Sequence, residues 1–259
     1  MSSYEEANLS GHSKWATIKR KKASTDARRG QIFTKLAKEI SIAAREGGPD
    51  PDMNFKLRLV VDKAKAANMP KENIERAIRR GAGLEKGDAL EEVMYEGYGP
   101  HGVALLVQVV TDNRNRAVSE VRRSFNRLGG SLGEAGCVAW QFEPKGYLAL
   151  APDDHDPDEI FDIAVEWGAD DVVVGQDLIE IYTTPDNFQT VRQALESRGL
   201  ALESAELTMV PKTTITLEEK QAFQNMNLIN ALEELDDVQA VYSNLDITDE
   251  LMAAFEAQA

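Results

Sequence analysis

Between His12 and Lys38 the chain places nine Lys/Arg residues and a single acid, Asp26, although its formal net charge is −15. The chemistry open to such a run is ionic contact with a polyanion. Lys14 and the contiguous Lys19, Arg20, Lys21 and Lys22 would surround the axis of a helix, but on an extended chain they can track a phosphate backbone. Each phosphate neutralised releases counterions, giving a salt slope of about −0.9 per contact on duplex DNA. Trp15, set among lysines, can stack on an exposed base for about 1–3 kcal/mol, and His12 can donate to phosphate. Arg28, Arg29, Lys35 and Lys38 would extend the footprint. The plainer reading is a solubilising tail with Trp15 packed on neighbouring helices. Charge segregation favours the first: residues 1–81 carry 18 basic and 10 acidic side chains, whereas residues 82–259 carry 11 and 34.

A second basic group lies inside the acidic part. Arg114, Arg116, Arg122, Arg123 and Arg127 share one helical segment with a single acid, Glu120. Offsets of seven and four put Arg116, Arg123 and Arg127 near one face, and the amides at the helix start would favour an anion. Pairing with surrounding acids is the alternative. Thirty-three of the 34 acids beyond residue 81 lie outside this segment. They keep the protein soluble, and can also repel phosphate from the rest of the surface or meet basic ribosomal proteins.

No catalytic set emerges. His12, His101 and His155 stand in different segments, and Cys137 has no histidine nearby, so neither a Cys–His pair nor a zinc site is indicated. Asp153-Asp154-His155-Asp156 lacks calcium-loop spacing and reads as a turn and helix cap. Gly97–Gly102 holds no phosphate-loop pattern. No catalytic residue, metal or cofactor is therefore expected. Trp140, Phe142 and Trp167 read as core.

The elements that must position these groups follow from periodicity. Ile32, Leu36, Ile40 and Ala44 recur every four residues until Gly47-Gly48. Met53, Leu57, Val60, Val61, Ala64 and Ala67 predict a second helix, and Pro70 opens a third through Ile74, Ala77 and Ile78 to Gly81. Val103–Val110 reads as a buried strand, followed by a helix capped by Asp112. Cys137–Phe142 and Gly146–Leu150 read as a hairpin, Asp156-Pro157 starts a helix, and Asp171–Val174 and Leu178–Tyr182 form a strand pair. A helix from Thr184-Pro185 and a strand from Leu202 complete a ferredoxin-like unit with an extra hairpin strand. After Pro211 come a strand, a helix started by the capping box Thr216–Glu219, and a last strand, Val238–Tyr242.

The expected architecture is α+β and multidomain: a three-helix bundle followed by two ferredoxin-like domains, one inserted in the other. The boundaries are a basic arm at 1–25, a bundle at 26–81, a discontinuous domain at 88–135 and 211–247, and an inserted domain at 136–210. A 42% hydrophobic, 28% charged composition is that of an ordinary soluble protein. The longest apolar run, Val103–Val107, is far short of the roughly 20 residues of a membrane span. No secretory or transit signal is visible at the start. One cysteine excludes an internal disulfide and suits a reducing cytoplasm.

Gly11-His12-Ser13-Lys14-Trp15 with Ile18–Lys22, Asn68-Met69-Pro70-Lys71-Glu72-Asn73-Ile74, Tyr95–Pro100, Thr111–Arg116 and Gly129-Gly130 together resemble the YebC/PmpR family. The resemblance runs from Gly11 to Tyr242. It implies a three-domain, non-enzymatic factor acting on nucleic acid or nucleoprotein. Ten residues precede the first motif, where members usually begin near it; His101 stands where glycine is more usual, and Cys137 where a small polar residue is. Bacterial members are labelled transcriptional regulators that bind DNA, whereas others, such as the mitochondrial translational activator of cytochrome c oxidase subunit one, resemble ribosome-bound translation factors contacting ribosomal RNA. No helix-turn-helix, zinc finger or basic zipper appears, so base reading has no evident element. A lysine-rich arm recognising RNA by shape suits the second expectation. Neither implies a membrane or a small-molecule substrate.

Overall fold

The computed structural model describes residues 26–86, 89–152, 155–175 and 177–257, the side chains of residues 26–28 excepted. It is an α+β structure with two four-stranded antiparallel sheets. Its contacts form two compact units. One runs to Ala139 and includes Glu218–Ser243; the other is Trp140–Leu217 with the residues from Asn244 onward.

The first unit opens with three helices, α1 (Asp26–Gly47), α2 (Phe55–Ala66) and α3 (Lys71–Gly81). The four-residue repeat of α1 turns Leu36, Ile40 and Ala44 inward, where they meet Leu57, Val61, Met69, Ile74 and Ala77. Asn54 caps α2 by accepting from the Leu57 amide. The turn into α3 explains the Asn68-Met69-Pro70 motif. Asn68 takes φ 58°, a left-handed conformation that asparagine tolerates, and its amide and that of Met69 bond to the Lys65 and Ala64 carbonyls in a Schellman closure. Met69 is thereby folded into the core, and Pro70 ends the turn.

A sheet follows, built from β1 (Glu91–Tyr98), β2 (Ala104–Thr111), β3 (Ser131–Leu132) and β8 (Val238–Ser243) in the order β3-β1-β2-β8. α4 (Arg114–Arg127) buries Ala117, Val121 and Phe125, and α7 (Glu219–Glu233) buries Phe223, Met226, Ile229 and Leu232. Ile42, Leu90 and Val110 join the bundle to the sheet. Tyr98-Gly99-Pro100 reads as a tight turn between strands, but the extent of β1 before it was not legible, since Glu91, Glu92 and Glu96 interrupt its apolar pattern.

The second unit is β4 (Phe142–Leu150), α5 (Pro157–Glu166), β5 (Ala169–Val174), β6 (Ile179–Thr183), α6 (Phe188–Ser197) and β7 (Leu202–Pro211), with α8 (Asp249–Glu256). The order β5-β6-β4-β7 is ferredoxin-like. The expected hairpin before residue 150 is instead one strand, because Pro144-Lys145 continue in register with Met209 and Thr208. Trp140 and Trp167, expected in the core, are 66% and 45% exposed, whereas Phe142 is buried. Trp140 sits in a short 3-10 turn ahead of β4, and Trp167 caps the C-terminus of α5. The segment after Pro211 forms only a single bridge, Ile215 to Leu245. Thr216 bonds to Asp246 and does not cap α7, whose N-cap is Glu218. α8 had not been anticipated from the sequence.

The α1–α3 crossing is closer than any side chain at residue 81 allows. A Cβ on Gly81 would lie 2.2 Å from the Ser41 carbonyl oxygen and 2.9 Å from the Ala44 Cβ. Gly81→Ala should therefore force the helices apart and lower stability by about 1–3 kcal/mol, measured by denaturant unfolding. Unchanged stability would refute the close approach.

Candidate nucleic-acid interface

Arg122, Arg123 and Arg127, with Ser119 and Asn126, line a shallow open depression on the outer face of α4. The opposite face is the one carrying Val121 and Phe125 into the core, so helical geometry alone presents these three guanidinium groups to solvent. None of the three makes an ion pair or hydrogen bond with a described residue. Arg114 is also exposed. Arg122 was part of the basic segment seen in the sequence but not of its expected face. It takes the place expected for Arg116.

Arg116 has a different partner set. Its Nη2 donates to Asp112 at 2.8 Å and to Asp237 at 2.9 Å. Hydrogen bonding to Asp237 first, then to Asp112, pushes its pKa further above the ordinary arginine value. The anion site expected at the start of α4 is also occupied. Asn113, rather than Asp112, is the N-cap and accepts from the Arg116 amide at 3.0 Å. The Asn113 amide in turn donates to Thr111 Oγ1.

Asp237 is where these elements converge. Its side chain is 6% exposed. Lys38 Nζ donates to it at 2.6 Å, Thr111 Oγ1 at 2.8 Å, and Arg116 at 2.9 Å. Burial alone would push its carboxyl up, but the hydrogen bonds from Lys38, Arg116 and Thr111 outweigh that and hold it below the ordinary carboxylate value. Nearby, Lys35 Nζ donates to the Glu233 carbonyl and Gln31 Nε2 to the Glu234 carbonyl. These carbonyls end α7, where helices leave acceptors unmatched. Lys35 and Lys38, expected in the footprint, are thus engaged within the chain. Arg29 lies exposed on α1. His12, Lys14, Trp15, Lys19, Arg20, Lys21 and Lys22 lie outside the described residues, as does the side chain of Arg28.

Three further polar groups have structural partners. Glu96, 7% exposed, accepts from the Gly136, Val138 and Ala139 amides at 2.6, 2.8 and 2.7 Å. Burial pushes its carboxyl up, and the three amides more than reverse it. In the second unit, Tyr147 and Tyr182 both donate to the buried Glu180 at 3.1 Å. The Cys137 thiol is pushed up by burial and then by Glu96, which keeps it protonated and poorly nucleophilic near neutrality.

Residues 13–84 match the family model described as the TACO1/YebC protein N-terminal domain, and residues 90–245 that of the TACO1/YebC second and third domain. A protein of Trichlorobacter lovleyi named "Probable transcriptional regulatory protein" is 55% identical over 93% of this chain and 97% of its own length. One of the same name from Chloroflexus aurantiacus is 56% identical over 96% of this chain and all of its own. The crystal structure of a conserved hypothetical protein from Aquifex aeolicus superposes with a TM-score of 0.81 at 48% identity, covering 86% of this chain and 93% of that one. No helix among the described residues is long and apolar enough to cross a membrane.

Asp237→Asn removes the charge that Lys38 and Arg116 share, and should cost about 3 kcal/mol at pH 7. The folded carboxyl titrates below its unfolded value of about 3.9. Its contribution is therefore present above that pH and lost as pH falls through the folded value. Thermal unfolding at pH 7 and pH 3 should show a wide gap between the two proteins at the first and a narrower one at the second. An equal gap at both would show that Asp237 carries no such charge.

Proposed function

The chain belongs to the TACO1/YebC family, and on that premise we propose that it is a non-enzymatic, cytoplasmic regulator of gene expression that grips a nucleic-acid phosphate backbone. One observation carries the reading: Arg122, Arg123 and Arg127 stand on one helix face with no carboxylate partner among the described residues, in a chain whose net charge is −15. In so acidic a protein, cations left unneutralised are available to an external anion. The arm adds His12, Lys14, Trp15, Lys19, Arg20, Lys21 and Lys22, with Arg28 and Arg29 at its junction with α1, and Arg114 lies beside the arginine face. Lys35, Lys38 and Arg116 serve the fold in this reading.

The names of the relatives favour transcription. The second reading, a translation factor on ribosomal RNA, is favoured by the lack of an evident base-reading element, which a promoter-specific regulator would need. The cations on α4 and in the arm address phosphates, which position a protein without reading sequence, and those contacts are alike on DNA and RNA. Sedimentation of cell lysate at low and high salt separates the readings. Salt-sensitive migration with ribosomes supports translation; absence from ribosomes with footprints at defined promoters supports transcription.

Both readings share a quantitative expectation. With roughly five phosphate contacts, a fourfold rise in salt costs over 100-fold in affinity. Replacing Lys19, Arg20, Lys21 and Lys22 by Ala, or Arg122, Arg123 and Arg127 by Ala, should weaken binding and flatten the salt slope while the melting temperature stays within a few degrees. Parental affinity and slope in both variants would overturn the proposal.

A further inference from the structure

A second set of unanswered cations lies on the bundle, away from any sequence motif. The ends of α1 and α3 and the connector that follows them form an open groove, whose walls include Arg45, Arg80 and Lys86. Gly83 (φ 73°) makes the turn that shapes it: its amide and that of Leu84 return to the Arg80 and Arg79 carbonyls, closing α3 in a Schellman motif. The connector is thereby bent back so that Lys86 and Arg80 line the same groove.

The charge pattern inside this groove is distinctive. Most other cations of the bundle have an acid within reach: Lys56 pairs with Glu46, Lys63 with Glu39, Lys65 with Asp62 and Lys71 with Glu75. Arg80 and Lys86 have neither an ion pair nor a hydrogen bond to a described residue, and both are exposed. Arg45 directs one Nη1 to the Leu90 carbonyl and is otherwise exposed. Glu85 also lines the groove, but Arg79 lies 3.6 Å from it. The lining thus presents a cationic surplus.

We infer that this groove is a further phosphodiester-binding site, in which Arg45, Arg80 and Lys86 engage successive phosphates of a nucleic-acid strand. The inference rests on the nucleic-acid reading above and extends it to a surface that neither the arm nor α4 supplies. A phosphate backbone is the fitting ligand because the contacts on offer are cationic tips on an open, unenclosed wall. Such a wall suits a linear polyanion better than a small molecule needing enclosure. DNA and RNA share this chemistry.

The experiment uses the full chain, with a 20-base-pair DNA duplex and a 20-nucleotide single-stranded RNA as separate probes, and affinity measured at two salt concentrations fourfold apart. Two lost contacts predict that the parent loses about tenfold more affinity across that interval than the Arg80→Ala/Lys86→Ala variant does. The probe showing the larger difference identifies the strand. Arg80→Lys should retain parental behaviour, since only charge is required. Glu85→Gln should tighten binding, because it removes the groove's acid and frees Arg79. If the double variant keeps the parental slope while the arm variant flattens it, the groove is not a site and the broader reading stands. If the groove, arm and α4 variants all keep the parental slope, both fail. Weaker binding by Glu85→Gln would also overturn the groove.

Discussion

A buried carboxylate with three donors from three elements holds the first unit together. Asp237 sits in the connection between α7 and β8 and receives Lys38 from α1, Thr111 from the end of β2 and Arg116 from α4. A charge so enclosed is unfavourable unless each neighbour is in place, so the node couples the orientation of the bundle to that of the sheet. Its own carbonyl accepts from the Val110 amide, which ties it to the strand ladder as well. Lys35 and Gln31 add to this by meeting the carbonyls at the end of α7. One stripe of α1 is therefore an internal seam, although its composition reads as interface.

That division explains how an acidic protein can keep usable positive charge. Cations placed where acids are close become structural, as Arg116 does between Asp112 and Asp237. Arg122, Arg123 and Arg127 on the far side of α4, and Arg80 at the end of α3, have no ion pair with an acid among the described residues. Free and committed cations are close in sequence, only five residues separating Arg116 from Arg122. The direction each faces from its helix decides between the two fates. Electrostatic selection of surface is in this sense a consequence of core packing, since Val121 and Phe125 fix which way α4 is turned.

The legibility of the chain followed the same logic. Elements defined by their own periodicity or end signals were readable: the three bundle helices, α5 from Asp156-Pro157, and β2 from its unbroken apolar run. Features decided by distant partners were not. Lys38 and Arg116 meet Asp237 across 199 and 121 residues, so nothing adjacent to either marks it as structural. The bounds of β1 were not readable because its buried Glu96 looks like a surface residue until the amides it serves are seen. A hairpin was expected between Cys137–Phe142 and Gly146–Leu150, yet β4 runs through Pro144 in register, and α8 carried only the modest signal of Thr248 as its cap. Among the candidate site residues, the arginine cluster on α4 was visible from composition, but which members are free depended on the fold.

The seat of Glu96 has a consequence for how this architecture can vary among relatives. Three amides within four residues, Gly136, Val138 and Ala139, must converge on one carboxylate. That stretch therefore tolerates neither an added nor a missing residue, even though it looks like an ordinary loop between β3 and β4. Length differences should accumulate elsewhere, at connections whose backbone serves no such anchor. Where one is found between Gly136 and Ala139, an aligned glutamate at position 96 would no longer be expected.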